Sequence, residues 1–136
     1  MPTFKDDYKY GTQNEQNVKS KLDVFFNTKL IHRGGNSTFD YDNGSNIFVE
    51  LKSRRIRHDQ YDTAIIGANK VESAKKNPQN TYWFCYLYED GLYGIKYDAE
   101  KFAKYDCRAY SRGSREDKND RPQMCYFIPT SHLSPV

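Results

Sequence analysis

The chain is poor in the residues that cross-link or clip small domains. Its three cysteines, Cys85, Cys107 and Cys125, are odd in number and widely separated, and no CxxC pair occurs. That excludes a disulfide framework and predicts reduced, mostly buried thiols of an intracellular protein. His32, His58 and His132 stand too far apart for zinc-ligand spacing. Long apolar runs are missing too. The longest, Tyr82 to Tyr88, is seven residues, too short to cross a bilayer. The opening MPTFKDDYKYG is charged and has no apolar stretch, so neither a secretory signal nor a membrane partner is expected. One-sided charge is also lacking. The net charge is only +3, so any basic footprint must be local.

What the chain does have is aromatic residues, with 12 Tyr and 8 Phe. They argue against disorder and for β-rich packing, because flat rings fit pleated surfaces. A length of 136 residues suits one domain with one core. Residues 1–136 are therefore read as a single unit, with a core over about 8–98 and a C-terminal strand and charged loop over 99–136.

Local patterns predict the order α-β-β-α-β-β-α-β, an α/β (α+β) domain with a mixed central sheet flanked by helices. Thr12-Gln13-Asn14-Glu15 fits a capping box, and Val18, Leu22 and Phe25 then recur at helical spacing. Thr38–Asp42 and Asn46–Ser53 read as a hairpin turning at Asn43-Gly44-Ser45. A second helix is expected from Asp62 or Thr63 to about Lys76, ended by Asn77-Pro78. Asn80–Tyr88 has aromatics on both faces and reads as a central strand, paired with Leu92–Tyr97. A short helix over Ala99–Lys104, a charged loop over 108–121 and a strand over Met124–Ile128 complete the reading.

The hairpin carries the chemistry. Side chains alternate faces along a strand, so Ile47, Val49 and Leu51 share a core face and Phe48, Glu50, Lys52 and Arg54 share the other. Phe39 and Tyr41 are expected on the opposite face from Asp40 and Asp42. A three-residue Asn43-Gly44-Ser45 loop would pair Asp42 with Asn46 and Asp40 with Phe48. Asp40 and Glu50 then become diagonal neighbours on one face, roughly 7–8 Å apart at Cα. The same register buries the apolar faces. Two carboxylates there suit a hard cation, Mg²⁺ or Mn²⁺. A neighbouring Lys52 suits neutralising charge on a phosphorane or positioning water. The alternative is an exposed hairpin face with ordinary salt bridges.

Around the hairpin, Glu15 lies on the apolar stripe of the first helix and is either a third acid near the metal or simply the capping-box partner of Thr12. Lys70, in the second helix, is either a phosphate contact or a solvated lysine. Lys52, Arg54, Arg55, Arg57 and His58 form a local basic cluster that would match a nucleic-acid backbone. The Tyr-rich strands can stack bases, although core packing explains them more simply.

The residues Glu15, Asp40 and Glu50-Leu51-Lys52, followed by a helix bearing Lys70, resemble the PD-(D/E)xK nuclease superfamily. The segment Tyr10-Gly11-Thr12-Gln13-Asn14-Glu15, VELKSRR and the closing FIPTSHL resemble small Holliday-junction resolvases and phage or large-DNA-virus nucleases. The resemblance covers about residues 8–98, with Phe39 where the family often has Pro. It implies a restriction-endonuclease-like fold and Mg²⁺-dependent hydrolysis of DNA phosphodiesters, on branched or otherwise structured DNA. It implies Asp40, Glu50 and the Leu51 carbonyl as metal ligands, Glu15 as a further acid there, and Lys52 as the catalytic lysine. It also implies Arg54, Arg55, Arg57 and Lys70 at the nucleic acid. Asp42 competes with Asp40, but it sits at the turn and Asp40 is preferred. A homodimer and an infected host cell are further expectations of the resemblance. The alternative is an inactive nucleic-acid-binding module on the same fold.

Overall fold

The structure, a computed structural model, describes residues 17–33, 35, 37–110 and 123–136. Glu15 with its capping box, and most of the charged 108–121 loop, lie outside the described residues.

Helix α1, described over residues 17–26, ends where Asn27 takes a left-handed φ of 52°, a conformation asparagine tolerates at a helix C-terminus. Asp23 fixes the exit, its Oδ1 accepting from the Leu30 N–H at 2.9 Å. Strands β1 (Ile31–His32), β2 (Tyr41–Asp42) and β3 (Ile47–Ser53) follow as an antiparallel meander. Next come β4 (Thr63–Gly67), α2 (Ala68–Lys76), β5 (Thr81–Tyr88), β6 (Gly91–Lys96), α3 (Ala99–Phe102), β7 (Asp106–Tyr110), β8 (Gln123–Pro129) and β9 (Ser134–Pro135). β5 lies parallel to β3 after the α2 crossover. One sheet runs β1-β2-β3-β5-β6-β9 and the other β4-β8-β7. The mixed α+β class and the central aromatic strand agree with the sequence reading.

Alternation along β3 and β5 gives the large sheet two apolar faces. Val49 and Cys85 point to one, where Val18 and Leu22 of α1 pack with Leu30, Tyr41 and Leu92. Tyr82, Phe84, Tyr86 and Tyr88 point to the other, against Val71 and Ala74 of α2, Ala64 and Ile66 of β4, and Ile128 of β8. Burying each of the larger aliphatic and aromatic side chains contributes about 1.5–3 kcal/mol. Both layers are therefore needed to hold the sheet.

Three expectations need correction. Residues 63–67 form a strand and not the start of α2, because Ala64 and Ile66 are buried between exposed or half-buried neighbours. That period of two belongs to a sheet, and β8 pairs along it. Residues 106–110, the last three of them expected in a loop, form β7 on the other side of β8. One face of the main sheet is thus covered by a second sheet as well as by helices. The hairpin register also differs. Asp42 pairs with Phe48 and Tyr41 with Val49, not Asp42 with Asn46. Asn43 causes this. Its side-chain oxygen accepts from the N–H groups of Ser45, Asn46 and Ile47, each at 3.0 Å. Its own N–H donates to the Ile47 carbonyl at 3.2 Å. The turn is widened, and Gly44 supplies the one left-handed residue in it (φ 76°). The shift is two positions, an even number, so the side chains of the paired residues Tyr41 and Asp42 keep their faces.

Candidate metal centre and phosphate cleft

Continuing the observed register sets Asp40 directly across from Glu50 rather than diagonal to it. Residues 37–40 bend away before the strand can pair further. Phe39 consequently leaves the alternation and packs on Phe48 and Tyr82, with ring centroids 5.8 and 5.1 Å apart. It therefore lies on the Glu50 face and not, as expected, on the Val49 face. In its place the Asp40 Oδ2 accepts the Leu51 N–H at 2.8 Å. The N–H and C=O of one strand residue point to the same edge, so the Leu51 carbonyl faces Asp40 as well.

Glu50 is the one buried charged residue among those described, at 4% exposure. Burial raises its pKa to about 7, reinforced by hydrogen bonding to and repulsion from the Asp40 carboxylate, while Lys70 works the other way. The two carboxylates are thus in contact. Lys70 Nζ sits 3.2 Å from the Glu50 Oε2 and also donates to the Thr38 carbonyl. This places the α2 lysine on the carboxylate pair itself. Two carboxylates and a carbonyl on one edge, with a single ammonium to balance them, form an all-oxygen donor set that fits Mg²⁺ or Mn²⁺.

Lys52 follows Glu50 on the same face of β3. It lines a cavity of about 210 Å³ with Arg54, Gly67, Asn69, Lys70 and Cys125. Its charge is felt at the Cys125 thiol, where burial still pushes the pKa up. Arg54 continues into an adjoining cavity of about 560 Å³ that Arg55 also lines. Arg57 is engaged differently. Its guanidinium is 3.5 Å from Asp90 and 3.7 Å from Asp59, and it does not line either cavity. Asp42 is also committed elsewhere, taking Arg33 Nε and a terminal guanidinium nitrogen at 2.8 Å each.

Glu15 lies outside the described residues. A second acidic group, His58, Asp59 and Asp90, has ligand atoms within 4.8 Å of one another. His58 already bonds Asp90 through its N–H at 2.9 Å and its Nδ1 at 2.5 Å, and Arg57 balances both aspartates. The sequence reading missed Tyr61, Tyr110 and Phe127, which line the larger cavity. Arg108 lies against the same wall, its guanidinium 4.2 Å from the Phe127 ring centre. The alternation in Thr63–Gly67 was the available signal that a second sheet would form this wall.

No family model matches the chain, and neither a curated protein nor a solved structure shows significant similarity to it. Among the described residues, no helix is long and apolar enough to cross a membrane.

Proposed function

We propose that the protein is a metal-dependent DNA endonuclease of the restriction-endonuclease-like kind, hydrolysing phosphodiester bonds. The observation that carries this reading is the buried contact of Glu50 with Asp40 beside a cleft lined by Lys52, Lys70 and Arg54. Asp40, Glu50 and the Leu51 carbonyl would hold Mg²⁺ or Mn²⁺, which when bound polarises a phosphoryl oxygen and makes a bound water acidic. Lys52 supplies a positive charge two residues from Glu50, suited to orienting the attacking water and to neutralising negative charge in the transition state. Lys70 offsets the excess charge of the carboxylate pair. Gly67, the last residue of β4 and the N-cap position before α2, makes no side-chain cap hydrogen bond, so first-turn N–H groups are available for a phosphate oxygen. Arg54 and Arg55 extend the positive charge along the DNA backbone.

A second reading has an observation of its own. Lys70 already pairs with Glu50 at 3.2 Å, and that ion pair can stand without a metal, leaving a nucleic-acid-binding module with no chemistry. One experiment separates the two. Labelled four-way junction, flap, linear duplex and single strand are incubated with the protein in Mg²⁺, Mn²⁺ or EDTA. The nuclease reading expects metal-dependent cleavage of at least one substrate, abolished in a folded Lys52→Ala variant. DNA binding without cleavage under either metal supports the module instead.

A further inference from the structure

The larger cavity continues the phosphate cleft but has a different chemistry. Tyr86 and Tyr88 form its floor, with Tyr61, Tyr110 and Phe127 around it and Arg54 at the junction with the smaller cavity. The floor is fixed. The Tyr86 hydroxyl donates to the Ile65 carbonyl at 2.8 Å, and Tyr88 stacks on Tyr86 at 6.0 Å and 15°. The rim is not buried. Tyr61 is 60% exposed and Tyr110 38%, whereas the main chain at Tyr61 is tied down by Thr130, whose hydroxyl donates to the Tyr61 carbonyl at 3.1 Å. Among the described residues, three aromatic rings of Phe, Tyr or Trp are exposed, Phe25, Tyr61 and Tyr110, and two of them border this one cavity.

Core packing explains Tyr86 and Tyr88 but does not explain solvent-facing rings held at the mouth of a hollow. A volume of about 560 Å³ lies within the range of small-molecule sites and has room for a nucleobase with its sugar. Flat walls offer stacking to any base. The guanidiniums of Arg54 and Arg55 suit the phosphates on either side. A paired base inside a continuous duplex enters such a hollow only after it is unstacked and unpaired, at a cost of about a few kcal/mol that an unpaired base does not carry.

We infer that this cavity receives an unpaired nucleobase next to the phosphate held at Lys52 and Lys70. The substrate is then DNA with a single-stranded or unstacked segment at the cut, in preference to continuous duplex. This deepens the nuclease reading and rests on it for the identity of the neighbouring phosphate site.

The test is binding in EDTA, at fixed salt, to three oligonucleotides: a blunt duplex, the same duplex with a single-stranded extension, and that extension built from abasic sugars. The extended duplex should bind about tenfold or more tightly than the abasic one, since one stacked base is worth roughly that. The Tyr61→Ala/Tyr110→Ala pair should erase the difference while leaving blunt-duplex affinity unchanged, and Tyr61→Phe should keep it. A 2-aminopurine in the extension should be quenched on binding to the unaltered protein, which carries the test if the double variant fails to fold. Equal affinity for normal and abasic extensions, or unquenched 2-aminopurine, overturns the proposal, as does the absence of binding to any of the three. Metal-dependent cleavage that ignores the missing bases would keep the nuclease reading and overturn this one. Base-dependent binding without cleavage would do the reverse.

Discussion

Asp40 and Asp42 are two residues apart on the same side of the same hairpin, yet their surroundings treat them in opposite ways. Asp42 receives both arms of Arg33 at 2.8 Å and the Gly44 N–H at 2.8 Å. The Arg33 hydrogen bond, chiefly, holds its pKa below the usual carboxylate value. Asp40 faces Glu50, a buried carboxylate raised to about 7 by burial and by Asp40 itself. One aspartate sits in a balanced pair. The other belongs to a set of two carboxylates and one ammonium. Balanced pairs hold a turn in shape, and an unbalanced buried set is where a further cation adds the most. The His58–Asp90 group, balanced by Arg57, falls with Asp42 in this contrast.

The largest effect should separate the two aspartates in catalysis. Asp40→Asn is expected to lower metal-dependent cleavage by at least about a hundredfold, the scale of losing an electrostatic catalytic group. Asp42→Asn should stay within about threefold of the parent under saturating metal. Measured single-turnover rates would break the comparison if the two variants fell equally.

A second, smaller effect is in stability. A carboxyl whose folded pKa exceeds its unfolded value binds its proton more tightly in the folded state. Its contribution is complete below the unfolded value of 4.5 and is lost as pH rises through about 7. Metal-free protein should therefore lose stability over that window, by up to roughly 3 kcal/mol for this group alone. Glu50→Gln should flatten the profile. Mn²⁺ at a hundredfold excess over its Kd should restore about 2.7 kcal/mol above pH 7. Denaturant titrations across pH check the slope, and a flat parent profile would remove Glu50 from the argument.

The smallest effect belongs to Asp42, with the opposite sign. Its depressed pKa gives stability that is present above the unfolded value of 3.8 and lost as pH falls through the folded one. Asp42→Asn should cost about 1–2 kcal/mol at pH 7, in the range for a charged hydrogen bond. The gap should close as the solution is acidified below the unfolded value. Parallel melts of parent and variant at pH 7 and pH 3 read this directly.

How far the sequence carried is visible in these same residues. Face assignment along β3 followed from alternation alone, so Glu50 and Lys52 fell together and Val49 fell on the other face. That Asp40 and not Asp42 neighbours Glu50 also followed from position relative to the turn. The exact pairing did not. It depends on how many N–H groups one Asn43 oxygen can gather, a side-chain choice that spacing does not encode. Phe39 went to the unexpected face because the chain bends just before β2, which strand periodicity cannot foresee. Thr63–Gly67 was misjudged because five residues fit both periods, and its partner β8 lies about sixty positions later. Without that second sheet the aromatic cavity beside Arg54 had no visible wall. Lys70 illustrates the converse: its side chain reaches Glu50 only because the crossover lays α2 over that face of the sheet.

The most direct measurement is a calorimetric titration of Mn²⁺ into the metal-free protein at pH 8, where Glu50 is ionised, run in parallel on Asp40→Asn and Asp42→Asn. The account predicts a saturable site in the parent, retained in Asp42→Asn and lost in Asp40→Asn. Binding that survives Asp40→Asn unchanged, or a parent that takes up no metal, would contradict it.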